Sequence, residues 1–265
     1  MPPGHPWRRP LVAPKAGDHF VQLYLKDSDL FKDVGRYAVA GLKRGDSVVL
    51  IARPEHQAGF AARLKAAGLK GASLRRSGRL VVLDAQETLS AFNDGSALNA
   101  GAFESLIGAT IERARAASAT GAVRGYGEMV DILWARSDRA AAIALEKLWN
   151  RLAAKHDFAL YCAYRLDPLD PAAHADGLRG VCDAHTHLLP STDESVLHDA
   201  VEAAIQQTLG SSMGGMLGTL TRAENFTTSM PDSVSRLFWL QEHIPGTAGR
   251  VLDRARAALQ ARRRS

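Results

Sequence analysis

No run of the form Gly-x4-Gly-Lys-Ser/Thr occurs in the 265 residues, so the chain lacks the loop whose backbone N–H groups cradle a nucleotide's phosphates. Cysteine is scarce as well. Cys162 and Cys182 are the two present, too few for a disulfide framework, and a reducing cytoplasm is the expected location. There is no apolar run of about 18 residues, so no membrane span is expected. The proline-rich N-terminus has no apolar core of signal-peptide length, so no secretory leader is expected. Charge of one sign is not abundant either. The formal net charge is +5, and much of the excess lies near the ends, at Arg8, Arg9, Arg250, Arg254, Arg256 and Arg262 to Arg264. Basic ends of this kind are solvated tails in the main, and no nucleic-acid partner is expected.

What remains is an ordinary globular composition, 46% hydrophobic and 23% charged. After a leader read as disordered (1–17), strand-like and helix-like segments alternate. His19 to Leu25 reads as a first strand, and Asp27 or Ser28 can cap the helix that follows, which Gly45 stops. Ser47 to Ala52 and Arg79 to Leu83 are continuous apolar runs, the pattern of parallel strands covered on both faces. Val123 to Tyr126 and Phe158 to Tyr164 complete the strands. The helix between them places Leu145, Leu148, Trp149 and Leu152 at i, i+3, i+4 and i+7. Strands separated by helices of such length predict βαβ units and an α/β three-layer sandwich around a mostly parallel sheet. Beyond Pro190 no strand pattern is visible. Residues 191–265 are read as a helical extension, with Val234, Leu237, Phe238, Leu240 and Ile244 on one side of one helix and Val251, Leu252, Ala255 and Leu259 on the next.

Several blocks carry a resemblance. They are His19 with Leu23-Tyr24, Gly41-Leu42-Lys43-Arg44-Gly45-Asp46, Gly78-Arg79-Leu80 with Asp84-Ala85, and Gly127-Glu128-Met129-Val130-Asp131-Ile132-Leu133-Trp134. Leu145-Glu146-Lys147-Leu148-Trp149-Asn150, Leu160-Tyr161-Cys162-Ala163-Tyr164 and the His185 region complete the set. Their order resembles the MEDS domain, the sensory domain of methanogens and methylotrophs first described in a dichloromethane-responsive repressor. The likeness spans roughly residues 18–190. It implies a RecA/KaiC-like core without its nucleotide loop and a role in sensing small molecules, hydrocarbon derivatives included. The helix-turn-helix of that repressor has no counterpart in this sequence.

The first loop agrees with a loss of nucleotide chemistry. Lys26-Asp27-Ser28-Asp29 has no glycine and puts two carboxylates where phosphate would lie. In an open α/β sheet, ligands bind beyond the carboxyl ends of the strands. The residues expected there form a polar crevice of Tyr24, Arg53, Asp84, Glu128 and Asp131. Trp134 and Tyr24 supply apolar contact area, and Arg53, Asp84 and Glu128 orient the polar groups of a ligand. Glu128 has a plain alternative as an acceptor for loop N–H groups or a salt-bridge partner of Arg53 or Arg124.

Asp183-Ala184-His185-Thr186-His187 resembles the metal-ligand strand of amidohydrolases, but that family needs further ligands on later strands, and only His198 and His243 follow. Leu178, Cys182 and His185 instead fit a helix, where the side chains of His185 and His187 would point about 200° apart. The sequence therefore predicts a cytoplasmic, non-enzymatic sensory module with no catalytic residue, metal or cofactor. It would bind a small molecule and relay occupancy to a regulatory protein partner, or to a second copy, through its C-terminal helices. A degenerate nucleotide-binding or metal-dependent hydrolase using His185 and His187, and a ligand-free protein-interaction module, are the competing readings.

Overall fold

A computed structural model describes residues 8–95, 97–189, 194–224 and 228–262. They fall into two compact units, one of Met1–Gln22 with Lys26–Tyr164 and the other of Leu23–Leu25 with Arg165–Ser265. No helix of the described residues is long and apolar enough to cross a membrane.

The first unit is an α/β fold. In chain order it contains α1 (Arg8–Val12), β1 (His19–Leu23), α2 (Asp27–Arg44), β2 (Ser47–Ala52), α3 (Pro54–Ala66), α4 (Gly71–Arg76) and β3 (Leu80–Asp84). There follow α5 (Ala85–Ser90), α6 (Ala100–Ala117), β4 (Val123–Gly127), α7 (Met129–Ala135), α8 (Arg139–His156) and β5 (Ala159–Tyr164). The strands run in the order β3-β2-β4-β5-β1. The pairs β2–β3, β2–β4 and β4–β5 are all parallel, with Ile51 opposite Gly127 and Gly127 opposite Cys162. Every residue of β2, β4 and β5 is buried, as an interior parallel strand covered on both faces requires.

The two-residue alternation of the strands sorts the layers. Arg124 and Tyr126 of β4 face α2 and α3. The Arg124 guanidinium lies 5.3 Å from the Tyr37 ring of α2, and Tyr126 packs 5.1 Å from Phe60 of α3. Gly125 and Gly127 lie on the other face, Gly125 beside Leu160 and Phe158 and Gly127 beneath α8. A Cβ on Gly127 would sit 3.3 Å from the Trp149 ring, so the glycine lets the helix press against the strand. Trp149 meets Phe103 of α6 edge-on at 5.1 Å. Helices thus cover both faces, giving three layers.

Local sequence explains the helix ends. Gly45 adopts φ 108° and ends α2, its N–H reaching the carbonyls of Gly41 and Leu42. Asp84, Asn99 and Asp138 cap α5, α6 and α8 with side-chain oxygens. The start of α2 differs from expectation. Lys26 occupies the cap position without a side-chain bond, and Asp27 lies in the first turn.

The leader expected to be disordered over residues 1–17 needs a correction. Residues 8–12 form α1, Leu11 is fully buried, and Arg124 donates to the carbonyls of Leu11 and Val12 at 3.2 and 3.0 Å. A single turn held by a distant arginine leaves no periodic signal. Residues 1–7 lie outside the described set.

The second unit contains α9 (Pro171–Ala175), α10 (Leu178–Asp183), β6 (His187–Leu189), α11 (Glu194–Leu209), α12 (Ser211–Ala223), α13 (Asp232–His243) and α14 (Pro245–Arg262). It takes in residues 165–190 as well as the expected helical extension. The apolar faces read from the sequence are spent inside it: Leu197, Val201, Leu237, Phe238, Val251, Leu252 and Ala255 are all buried. Ile244 stays outside, 37% exposed, at the break that Pro245 makes between α13 and α14.

Candidate functional site

The order β3-β2-β4-β5 contains a switch point. The chain leaves β2 towards β3 on one side, and leaves β4 towards β5 on the other. Connections that diverge from neighbouring strands open a crevice beyond their carboxyl ends. Arg53 follows β2 and Glu128 follows β4, so the two residues flank that opening.

Glu128 has no exposed surface and is held from several sides. Its Oε2 accepts the Arg53 backbone N–H at 2.9 Å. Its Oε1 accepts the Tyr126 hydroxyl at 2.7 Å and lies 2.6 Å from His56 Nδ1, which therefore carries its proton on that nitrogen. The Arg53 guanidinium bridges two carboxylates, with Nη1 2.8 Å from Asp131 Oδ2 and 3.7 Å from Glu128 Oε2. About a fifth of the Arg53 side chain (21%) remains exposed, the most accessible charge of the trio. On the far side of His56, Nε2 lies 3.6 Å from Asp27 Oδ1 at the start of α2. The rings of Phe31 and Phe60 wall the imidazole, at 5.5 and 6.4 Å between centroids.

Three carboxylates thus share one permanent cation and one imidazole. Burial pulls the His56 pKa down, but the Glu128 hydrogen bond and the charges of Glu128 and Asp27 outweigh burial and Arg53, leaving it raised above its ordinary value. The plain alternative for Glu128 is present in two of its forms, an acceptor of a loop N–H and an ionic neighbour of Arg53. Arg124 is committed elsewhere. It is buried against Asp46, 2.8 Å away, with a further bond to the Tyr37 carbonyl.

Of the six residues expected to line the crevice, Arg53, Glu128 and Asp131 come together. Asp84 stands at the end of β3, opposite Ala52, and its Oδ1 accepts the Glu87 N–H at 2.8 Å as the cap of α5. Trp134 is buried in α7, under the Arg139 guanidinium at 4.3 Å and edge-on to Tyr164 at 5.6 Å. Tyr24 belongs to the second unit, where the Arg165 guanidinium lies 5.3 Å from its ring. Reading the sequence missed His56 and Tyr126 as members. A signal for both existed: His56 follows Pro54 by two residues, inside the first turn of α3, and Tyr126 precedes Glu128 by two on one strand.

The Asp183 to His187 segment departs from the expected helix. α10 ends at Asp183, His185 follows it with Nδ1 2.7 Å from the Val181 carbonyl, and His187 opens β6. The physical reason is the Thr228 hydroxyl, which donates to the carbonyls of both Cys182 and His185, while Ser229 pairs with the strand. Among the described residues, His187 joins no group of metal-ligating side chains.

A second concavity of about 540 Å³ lies along β2, β3, α3 and α4. Leu50, Leu64, Leu80 and Val82 line its floor, and Lys65, Lys70 and Arg75 its rim. It contains none of the six expected residues.

No curated protein and no solved structure matches the chain. One family model does match, described as MEDS: MEthanogen/methylotroph, DcmR Sensory domain, over residues 18–186. The match begins beside β1, takes in the Arg53–Glu128–Asp131 cluster, and covers well over half of the sequence. The chain belongs to the MEDS family of sensory domains.

Proposed function

We propose that this protein is a non-enzymatic sensory module that binds a small molecule at the switch point between β2 and β4. It then relays occupancy to a protein partner through its C-terminal helices. The feature that carries the reading is Arg53, a partly exposed cation held between Asp131 and Glu128 at a switch point of the strand order, where open α/β sheets bind their ligands. Glu128 is the anchor, because three protein donors already occupy its oxygens. Arg53 is the group that meets an acidic or carbonyl function of the ligand, exchanging its contact with Asp131. Such an exchange gives the differential affinity for two arrangements that a relay requires.

The outward surface that supports a partner is on α12. Met213, Met216 and Leu220 follow one another at i, i+3 and i+7 and are 36%, 48% and 36% exposed. An apolar helical stripe facing water is a common docking feature.

A thermal-shift screen of the full chain against small organic acids, alcohols and halogenated hydrocarbons tests the site. A true ligand at a hundredfold excess over its Kd adds about 2.7 kcal/mol of stability. Arg53→Ala and Glu128→Gln should each remove that shift. If both variants keep it while Val82→Trp, which fills the second concavity, removes it, the ligand site lies along β3 and the assignment to Arg53 is wrong.

A further inference from the structure

On the α8 face of the sheet, three side chains with different donor atoms converge. His19 of β1 and Cys162 of β5 project from adjacent strands, and Glu146 comes down from α8; all three are fully or almost fully buried. His19 Nε2 lies 3.3 Å from Cys162 Sγ and 3.5 Å from Glu146 Oε2, and Sγ lies 3.5 Å from the same oxygen. The triangle is nearly equilateral. Zinc bonds of ~2.0–2.3 Å at tetrahedral angles place neighbouring ligand atoms about 3.3–3.6 Å apart, so the three atoms already have the spacing of one face of a zinc tetrahedron.

The outer atoms of the same side chains make the strong hydrogen bonds. His19 Nδ1 lies 2.8 Å from Asn150 Oδ1, one helical turn beyond Glu146, and an amide oxygen there fixes the ring proton on Nδ1. Nε2 then presents its lone pair inward. The Tyr164 hydroxyl donates to Glu146 Oε1 at 2.7 Å and leaves Oε2 turned towards the sulfur and nitrogen. Metal-ligating histidines and carboxylates are held in this manner by outer hydrogen-bond partners. Within the triangle the Cys162 thiol donates to Glu146 Oε2 at 3.5 Å, while the 3.5 Å between His19 Nε2 and that oxygen is long for a nitrogen–carboxylate hydrogen bond. The inward atoms are set as ligands, and the outward atoms are bonded as supports.

We propose that His19, Glu146 and Cys162 supply three ligands of a divalent transition-metal site, for which Zn²⁺ is the best match. A mixed nitrogen, sulfur and oxygen set in tetrahedral arrangement suits that borderline-soft ion, and a further donor takes the fourth corner. Binding replaces the Cys162 thiol proton, which leaves to solvent, with a sulfur–metal bond. A buried carboxylate and thiolate gain the cation that their burial demands. Asn150 and Tyr164 are positioning residues. The site is separate from the Arg53 crevice and stands or falls without it.

Cobalt substitution of the full chain provides the test. One equivalent of Co²⁺ should give a thiolate-to-cobalt charge-transfer band and the intense visible bands of tetrahedral cobalt, both reversed by Zn²⁺. Cys162→Ser should lose the charge-transfer band, and Cys182→Ser should keep it. Asn150→Ala should keep the spectrum and weaken the affinity about tenfold or more. A wild-type protein that shows only the pale spectrum of solvated cobalt overturns the proposal, and so does a charge-transfer band that disappears with Cys182→Ser. Neither of these results depends on Cys162→Ser folding.

Discussion

His56 is the side chain through which pH reaches the carboxyl end of the sheet. It faces Glu128 from β4, Asp27 from α2 and Arg53 from its own loop, with Phe31 and Phe60 around the ring. Burial alone would lower its pKa, and the two carboxylates reverse the sign. A histidine whose folded pKa exceeds its unfolded value contributes stability that is complete below the unfolded pKa of about 6.5. That contribution fades as pH rises through the folded value. Urea midpoints should therefore fall from weakly acidic towards mildly alkaline pH, and His56→Gln should flatten this part of the profile. An unchanged slope in the variant would assign the pH dependence to another group.

At the scale of elements, β4 and α2 are locked by one side chain. Arg124 reaches from the strand to Asp46 and to the carbonyls of Leu11, Val12 and Tyr37, and it lies against the backbone of α2 at Gly41. A Cβ on Gly41 would stand 2.5 Å from Arg124 Nε and 2.6 Å from Cδ. Because so many bonds clamp the guanidinium, the arginine cannot step aside. Gly41→Ala should cost about 1–3 kcal/mol in denaturant unfolding, the range of overpacked cores. Gly71→Ala, at the start of α4 with nothing within 4 Å of the added carbon, should stay within about 0.5 kcal/mol. Equal losses in the two variants would refute the clamp.

Elements of this kind were largely legible in the sequence. The runs Val48 to Ile51 and Leu160 to Tyr164 announced buried strands, and Gly45 announced the end of α2. Sites were legible only where neighbouring residues in sequence remain neighbours in space. Glu128 and Asp131 share a helix start, and Arg53 follows a strand end, so a topological rule alone joined them. His56 was hidden because an isolated histidine in a helix has no period. Asp84 looked equivalent to Glu128 by position, but its carboxylate is spent on capping α5. β6 escaped because three residues cannot display an alternation, and its partner Ser229 is remote in the chain.

For the whole molecule, the family assignment gives a sensory role, which in general implies a regulatory partner. The stripe of Met213, Met216 and Leu220 is small, which suits a transient contact rather than an obligate one. If it mediates pairing of two copies, sedimentation of the wild type should show weak association that grows with concentration. Met216→Glu should abolish that association without changing the melting temperature. Identical sedimentation of the two proteins at all concentrations would remove self-association from the function of α12.

The place of β1 has a consequence for biosynthesis. Its N-terminal end is tied to the last strand of the unit, through Gly17 N–H to the Phe158 carbonyl and Leu160 N–H to that of Asp18. Those partners leave the ribosome some 140 residues later, at the slow end of what long loops allow. β1 is thus made long before the residues that seat it. Until then the growing chain displays an apolar ribbon, Phe20 and Val21 included, that invites chaperones or mispairing.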